Sequence, residues 1–327
     1  MKYLLVCFSL LFIVPNVYSQ GCSDAGFCTM GAMRPSQVYT KAINFKLRAI
    51  EFSYGKGETT LSPTINVATL DFTFGITEKM NLQFKLPYQW VSGNLGNTSG
   101  IADLSLSLTR NMYSTEKFHI NATLGAKIPT NNADLNEELE TEFLSDGTQT
   151  ADLPMYYQTS LGTFDLVLGA SFISKEWMFA AGLQMPLIHN NENDFRFEEW
   201  RNYPSQEDYL LEHDLANELQ RGTDIMVRAE RAFHFSNLDV RIGVLPIFRI
   251  TKDRVRDRRP GSATEGLLVE VDGTTGLALT TLLNVAYHFN TMHSVKLLYG
   301  HKITDRDVNP DGLTRDSVLS LSYVHTF

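Results

Sequence analysis

The feature that most constrains this chain is a period of two. From about Ile43 to the last residue, apolar and polar side chains alternate in runs of roughly ten residues or more. Alternation puts successive side chains on opposite faces of an extended strand, so these segments are strands with one apolar face. Leu82, Phe84, Leu86, Tyr88 and Trp90 share a face, with Gln83, Lys85 and Gln89 on the other. Phe118, Ile120, Ala122, Leu124 and Ala126 alternate with His119, Asn121, Thr123 and Lys127. Near the end, Leu279, Thr281, Leu283, Val285, Tyr287 and Phe289 oppose Thr280, Asn284 and His288.

A water-soluble sandwich also alternates, so the period alone leaves two solutions. Three observations favour a membrane barrel. The strands exceed the five or six residues usual in soluble sheets and suit a tilted bilayer crossing. Aromatic residues gather near strand ends (Tyr88, Trp90, Trp177, Tyr287, Phe289, Tyr299), where an interfacial girdle would lie. The connections also alternate in length. Strands are expected at 43–55, 64–75, 81–91, 101–112, 118–128, 162–173, 176–188, 223–235, 238–251, 276–289, 293–303 and 315–327. Short turns at 76–80, 113–117, 174–175, 236–237 and 290–292 alternate with longer polar stretches at 56–63, 92–100, 129–161, 189–222, 252–275 and 304–314. The expected fold is an all-β transmembrane antiparallel barrel of about twelve strands, with short periplasmic turns and long extracellular loops. Its setting would be the outer membrane of a Gram-negative bacterium, with membrane lipid against its outer face.

Composition agrees. Charged residues make up 20% of the chain and mean hydropathy is −0.15, unremarkable for a barrel whose strands are only half apolar. The net charge of −9 argues against a nucleic-acid partner, which needs a basic footprint. The closing segment alternates through Leu319, Leu321 and Tyr323 to Phe327, resembling the C-terminal signal that barrel-assembly machinery reads, although His325 departs from that pattern.

Three segments follow. Residues 1–19 read as a signal peptide: Met1-Lys2, an apolar run from Tyr3 to Val14, Pro15, then small residues before Gln20. A lipidated Cys22 is the rival, but Ser19 stands where a lipoprotein signal normally carries Leu. Residues 20–40 form a periplasmic or plug segment, and 41–327 the barrel. In an exported protein Cys22 and Cys28 are most simply a disulfide.

Gly75-Ile76-Thr77-Glu78-Lys79-Met80-Asn81-Leu82, then Leu86-Pro87-Tyr88, then Ser99-Gly100-Ile101-Ala102-Asp103-Leu104 form a recognisable string. It resembles the outer-membrane transporter family named for the meta-pathway of phenol degradation, and barrel proteins of Bacteroidetes-type bacteria. The likeness covers about a tenth of the chain. It implies the barrel fold and a transport role, not a phenolic substrate.

If apolar side chains face lipid, those of opposite parity face inward. Among them are Lys85, Arg228, Arg241 and Lys296, with Asp103 and Glu230. Two readings stay open: ion pairs that brace a narrow barrel, or a charged path that selects solutes by sign. The loop from Thr130 to Leu153 is acidic, and Ser205 to Leu219 has helical spacing. Asp307, Asn309 and Asp311 match the first half of a calcium loop, but also the composition of any surface turn. The expected function is an outer-membrane channel for small solutes, with a non-conducting accessory subunit as the alternative. An outer-membrane hydrolase is a weaker third reading, resting on His189 and His213 near Asp194 and Asp214.

Overall fold

The computed structural model describes residues 30, 33–34, 45–59, 63–138, 150–196, 200, 216–259, 261–311 and 315–327. Cys22, Cys28 and the expected signal peptide lie outside them, as does most of the Ser205–Leu219 stretch.

In chain order the strands are β1 (Lys46–Thr59), β2 (Thr64–Thr77), β3 (Met80–Gly93), β4 (Gly96–Ile101), β5 (Leu104–Ser114) and β6 (Phe118–Ile128). Next come β7 (Asn136–Glu138), β8 (Thr150–Asp152), β9 (Thr163–Ser174), β10 (Trp177–His189), β11 (Asp224–Phe235) and β12 (Leu238–Arg249). The last are β13 (Arg254–Arg256), β14 (Leu268–Glu270), β15 (Gly276–His288), β16 (His293–Thr304) and β17 (Arg315–Thr326). β7 pairs with β8 and β13 with β14, as small ribbons within connections. The remainder form one antiparallel sheet in which β17 pairs with β1 and β2 with β3, so the sheet closes. β4 and β5 both pair with β3 and are two pieces of one crossing, giving a closed barrel of 12 strands. Closure matters in lipid because an open edge would leave backbone groups without partners.

The expected strands all form, with one difference. The fourth is interrupted at Ala102-Asp103 and extends back to Gly96, so the stretch 92–100, expected as a long connection, is instead a hairpin that turns at residues 94–95. Opposite the break stands Pro87, which has no N–H to give the ladder; its carbonyl accepts from Ala102 N at 3.0 Å.

The distribution of exposure settles between sandwich and membrane barrel. Leu124, Ile242 and Leu321 are each more than half exposed, whereas Asn121, Lys127, Asp165 and Glu230 are almost completely buried. This inverts the arrangement of a water-soluble protein, whose apolar side chains go inside. The outer face is built for lipid and the inner face for polar contacts.

The barrel seam is held at its end. Arg48 sits at a register shift in β1, buried, and donates to Asn81 Oδ1 and Thr77 O, both at 2.9 Å. Its carbonyl accepts from Phe327 N at 2.8 Å, tying down the chain terminus. Gly75 leaves room for the Arg48 guanidinium, which a Cβ there would meet at 1.9 Å and displace.

Two apolar clusters lie inside this frame. In one, Met30 and Met33 pack against Val167, Met178, Ala180, Met226, Leu245 and Leu282, the apolar patch of the inner wall. Met30 and Met33, which precede the barrel in the chain, therefore lie against its inner wall. In the other, Leu95 of the turn between β3 and β4 and residues of the long connections (Leu153, Tyr157, Phe195, Trp200, Leu219) pack together with Ile65 and Val91 of the wall.

Candidate functional site

A chamber of about 270 Å³ lies in the lumen, lined by Arg34 of the N-terminal segment, inward residues of the wall, and Met155 to Leu161 of the connection before β9. The period of two positions the wall residues: Glu51 and Ser53 on β1, Thr69 and Asp71 on β2, Lys85 and Gln89 on β3, and Lys296 on β16 all take the inward parity.

The connection is fixed by side chains that replace a ladder. Pro154 opens a 3-10 turn at Met155–Tyr157. Gln158 exchanges bonds with the Leu135 backbone, its Nε2 donating to Leu135 O at 2.8 Å and its Oε1 accepting from Leu135 N at 2.9 Å. Gln89 then donates to Gln158 O at 3.1 Å, and Leu161 N to Asp103 Oδ2 at 3.3 Å, which binds the turn to the barrel wall.

Charges inside the chamber are paired, as burial demands. Arg34 bridges Glu51 and Asp71, the latter at 3.2 Å, and so joins the N-terminal segment to β1 and β2. Lys296 donates to Glu51 at 3.1 Å, and Lys85 stands 3.8 Å from Asp71. Gln83 donates to the same Asp71 carboxylate at 2.6 Å. Arg228 grips Glu230 at 2.8 and 2.5 Å, and Asn284 donates to Glu230 at 2.9 Å. Lys127 lies between Asp103 at 3.0 Å and Asp165 at 3.4 Å.

The structure thus places Lys85, Asp103, Arg228 and Lys296 on the chamber, with Glu230 directly behind Arg228. Arg241 is inward on β12, with Asn284 and Ala232 as its cross-strand partners, but does not line the chamber. Asp311 is buried among Arg221 at 3.1 Å, Arg249 at 3.4 Å and Arg306 at 3.7 Å, while Asn309 accepts from Arg306 at 2.9 Å. Among the described residues no three of His, Cys, Asp or Glu are arranged to hold a metal, Asp307 included. Asp194 is bound by Arg196 and Arg258, and His213 and Asp214 lie outside the described residues.

Sequence reasoning did not find Arg34, Met30 or Met33, nor the turn at Met155–Tyr157. A signal was available for the first three: Arg34 is the sole charged side chain in residues 25–40, and two methionines precede it.

An apolar exterior, a charged interior and a closed sheet define a transmembrane β-barrel of the outer-membrane type, with its lumen partly occupied by its own chain. No family model matches the chain, and no curated protein matches it. Solved structures do match. An outer-membrane channel from Pseudomonas putida F1 superposes with a TM-score of 0.56 at 15% identity, over 90% of this chain and 99% of that one. The KdgM porin gives 0.41 at 7% identity, over 85% and 99% of the two chains. The CymD monoaromatic hydrocarbon channel gives 0.39 at 12% identity, over 96% and 95%. The first shares the fold; the other two are too distant in superposition to add to it.

Proposed function

We propose that this chain is an outer-membrane channel for small polar solutes, with its lumen narrowed by Met30, Met33 and Arg34 from the chain before the barrel. The observation that carries the reading is a chamber of about 270 Å³ with a charged lining, inside a wall whose outer face is apolar. Barrels of 12 strands fall between those filled by side chains and those holding an open aqueous channel. Six basic side chains line the chamber against three acidic ones, which favours anions over cations. The short turns face the periplasm and the long connections the exterior, the usual arrangement in such barrels. Resemblance to the transporter family named for phenol degradation supports transport as the role, and no phenolic substrate is proposed.

The test is single-channel recording of the purified mature protein in a planar bilayer. Steady unitary currents with anion preference are expected, and deletion of residues 20–40 should raise the unitary conductance. Electrical silence of both proteins overturns the channel reading and favours an accessory subunit.

A further inference from the structure

We propose that the lumen chamber binds a small zwitterion, a solute with a carboxylate and an ammonium group on a short apolar skeleton. The inference deepens the channel reading and rests on it for the solute's route to the chamber; the binding itself rests on the geometry of the walls.

The charges of the lining are sorted by place. Around Glu51 and Asp71 stand three cations, Arg34, Lys85 and Lys296, so this pole carries one net positive charge (three minus two). Toward β5, Asp103 lines the chamber and, with Asp165 behind it, shares Lys127, so two carboxylates stand at this pole around one cation. Opposite poles in a confined, weakly screened space orient a dipolar solute. A singly charged solute is held at one pole only, whereas a dipolar one is held at both.

Each pole also has hydrogen-bonding capacity. A lysine ammonium has three N–H donors, and the Lys296 group gives one of them to Glu51 at 3.1 Å. The others can meet a carboxylate. At the second pole Asp103 Oδ1 is buried without a hydrogen-bond partner, while Oδ2 takes Lys127 and Leu161 N. A buried acceptor left unmatched is costly, and an ammonium N–H relieves that cost. Met155, Leu161, Ile65 and Val67 supply apolar lining for the skeleton. A volume of about 270 Å³ suits a molecule of amino-acid size and is below that of drug-sized sites.

The experiment is isothermal titration of the full mature protein in detergent with three probes of one skeleton: leucine, 4-methylpentanoate and 3-methylbutylamine. Leucine should bind saturably, about tenfold or more tighter than either singly charged analogue, since each lost contact is a charge-assisted hydrogen bond. Asp103→Asn should bring leucine down to the level of 4-methylpentanoate. Lys296→Gln should weaken both by about tenfold, and Lys296→Arg should restore them. Heat-modifiable migration on gels shows that each variant has kept its barrel. Equal affinity for leucine and 4-methylpentanoate, or no saturable leucine binding to the wild type, overturns the proposal. Bilayer recordings separate the two claims. Leucine binding without current defeats the channel but leaves the site, and current without leucine binding does the reverse.

Discussion

Lys296 on β16 reaches over the closing strand β17 to Glu51 on β1, with Nζ and Oε2 3.1 Å apart. Residues 245 positions apart are thereby joined across the seam where the barrel closes, and Arg34 binds the same carboxylate from the lumen side. Glu51 therefore sets both the stability of the seam and the charge of the chamber. Glu51→Gln removes the shared anion from two cations; loss of one partner from a buried pair costs about 3 kcal/mol or more. Urea unfolding in lipid vesicles should show that loss. The reversal potential in a salt gradient should move toward greater anion preference, and Lys296→Glu should move it the other way. An unmoved reversal potential in both variants would remove these residues from the permeation path.

Arg34 ties the N-terminal segment to the wall through Glu51 and Asp71. Arg34→Glu places a third carboxylate against those two, and like charges at such separations repel. The segment should leave the lumen, and unitary conductance should rise toward that of the protein lacking residues 20–40. Wild-type conductance in this variant would mean that the segment does not limit flow.

At the long-connection end, Arg249 makes a bidentate pair with Asp224, both bonds at 2.9 Å, and also holds Asp253 at 2.7 Å and Asp311 at 3.4 Å. One guanidinium thus anchors two connections to the wall. Arg249→Ala leaves three buried carboxylates short of their main counter-ion and should cost about 3–5 kcal/mol. The expected result is a lower urea midpoint and faster proteolysis within 305–314. An unchanged midpoint contradicts this account of the loops.

The connection between β13 and β14 is organised by a single carboxylate. Asp257 accepts from Arg259 N at 3.0 Å and Nε at 2.8 Å, from Ser262 Oγ at 2.8 Å, and from Thr264 Oγ1 at 2.6 Å. The Arg259 side chain first, then Thr264 and Ser262, hold the carboxyl well below its ordinary value of 3.8. A carboxyl whose folded pKa is depressed adds stability that is fully present above the unfolded value. That stability is lost only as pH falls through the folded one. Amide exchange in Gly261–Leu267, compared after correction for its intrinsic pH dependence, should show the same protection at pH 7 and pH 4. Asp257→Asn should lose that protection already at pH 7. Loss of protection by pH 4 in the wild type would contradict the assigned network.

The barrel was legible because its strands carry a strict period. The strand expected at 293–303, for example, forms at His293–Thr304. Parity also assigned Lys85, Asp103, Arg228, Glu230 and Lys296 to the interior, since on a strand the neighbours of a lipid-facing residue must face inward. Chamber lining needs more than parity, and Arg241 shares the parity without reaching the chamber. The break at Ala102-Asp103 depends on Pro87 in the neighbouring strand, a cross-strand effect that no run of residues displays by itself. Arg34 finds its partners 17 and 37 residues away, beyond the range of any local pattern. The Asp307-to-Asp311 motif is silent for a related reason, because composition does not reveal that Asp311 turns inward onto three arginines.

The central claim is that the wall is apolar outside and wet within, and paired cysteine labelling in native membranes tests it most directly. Ser53→Cys and Ser320→Cys line the chamber, whereas Phe52→Cys and Leu321→Cys take the opposite parity and are exposed on the outer face. The account predicts that a water-soluble maleimide reacts with the first pair above the wild-type background. The second pair should resist it and instead be reached by a lipid-dissolved reagent. The opposite pattern, or equal reaction at all four positions, would contradict a lipid-facing barrel with an aqueous lumen.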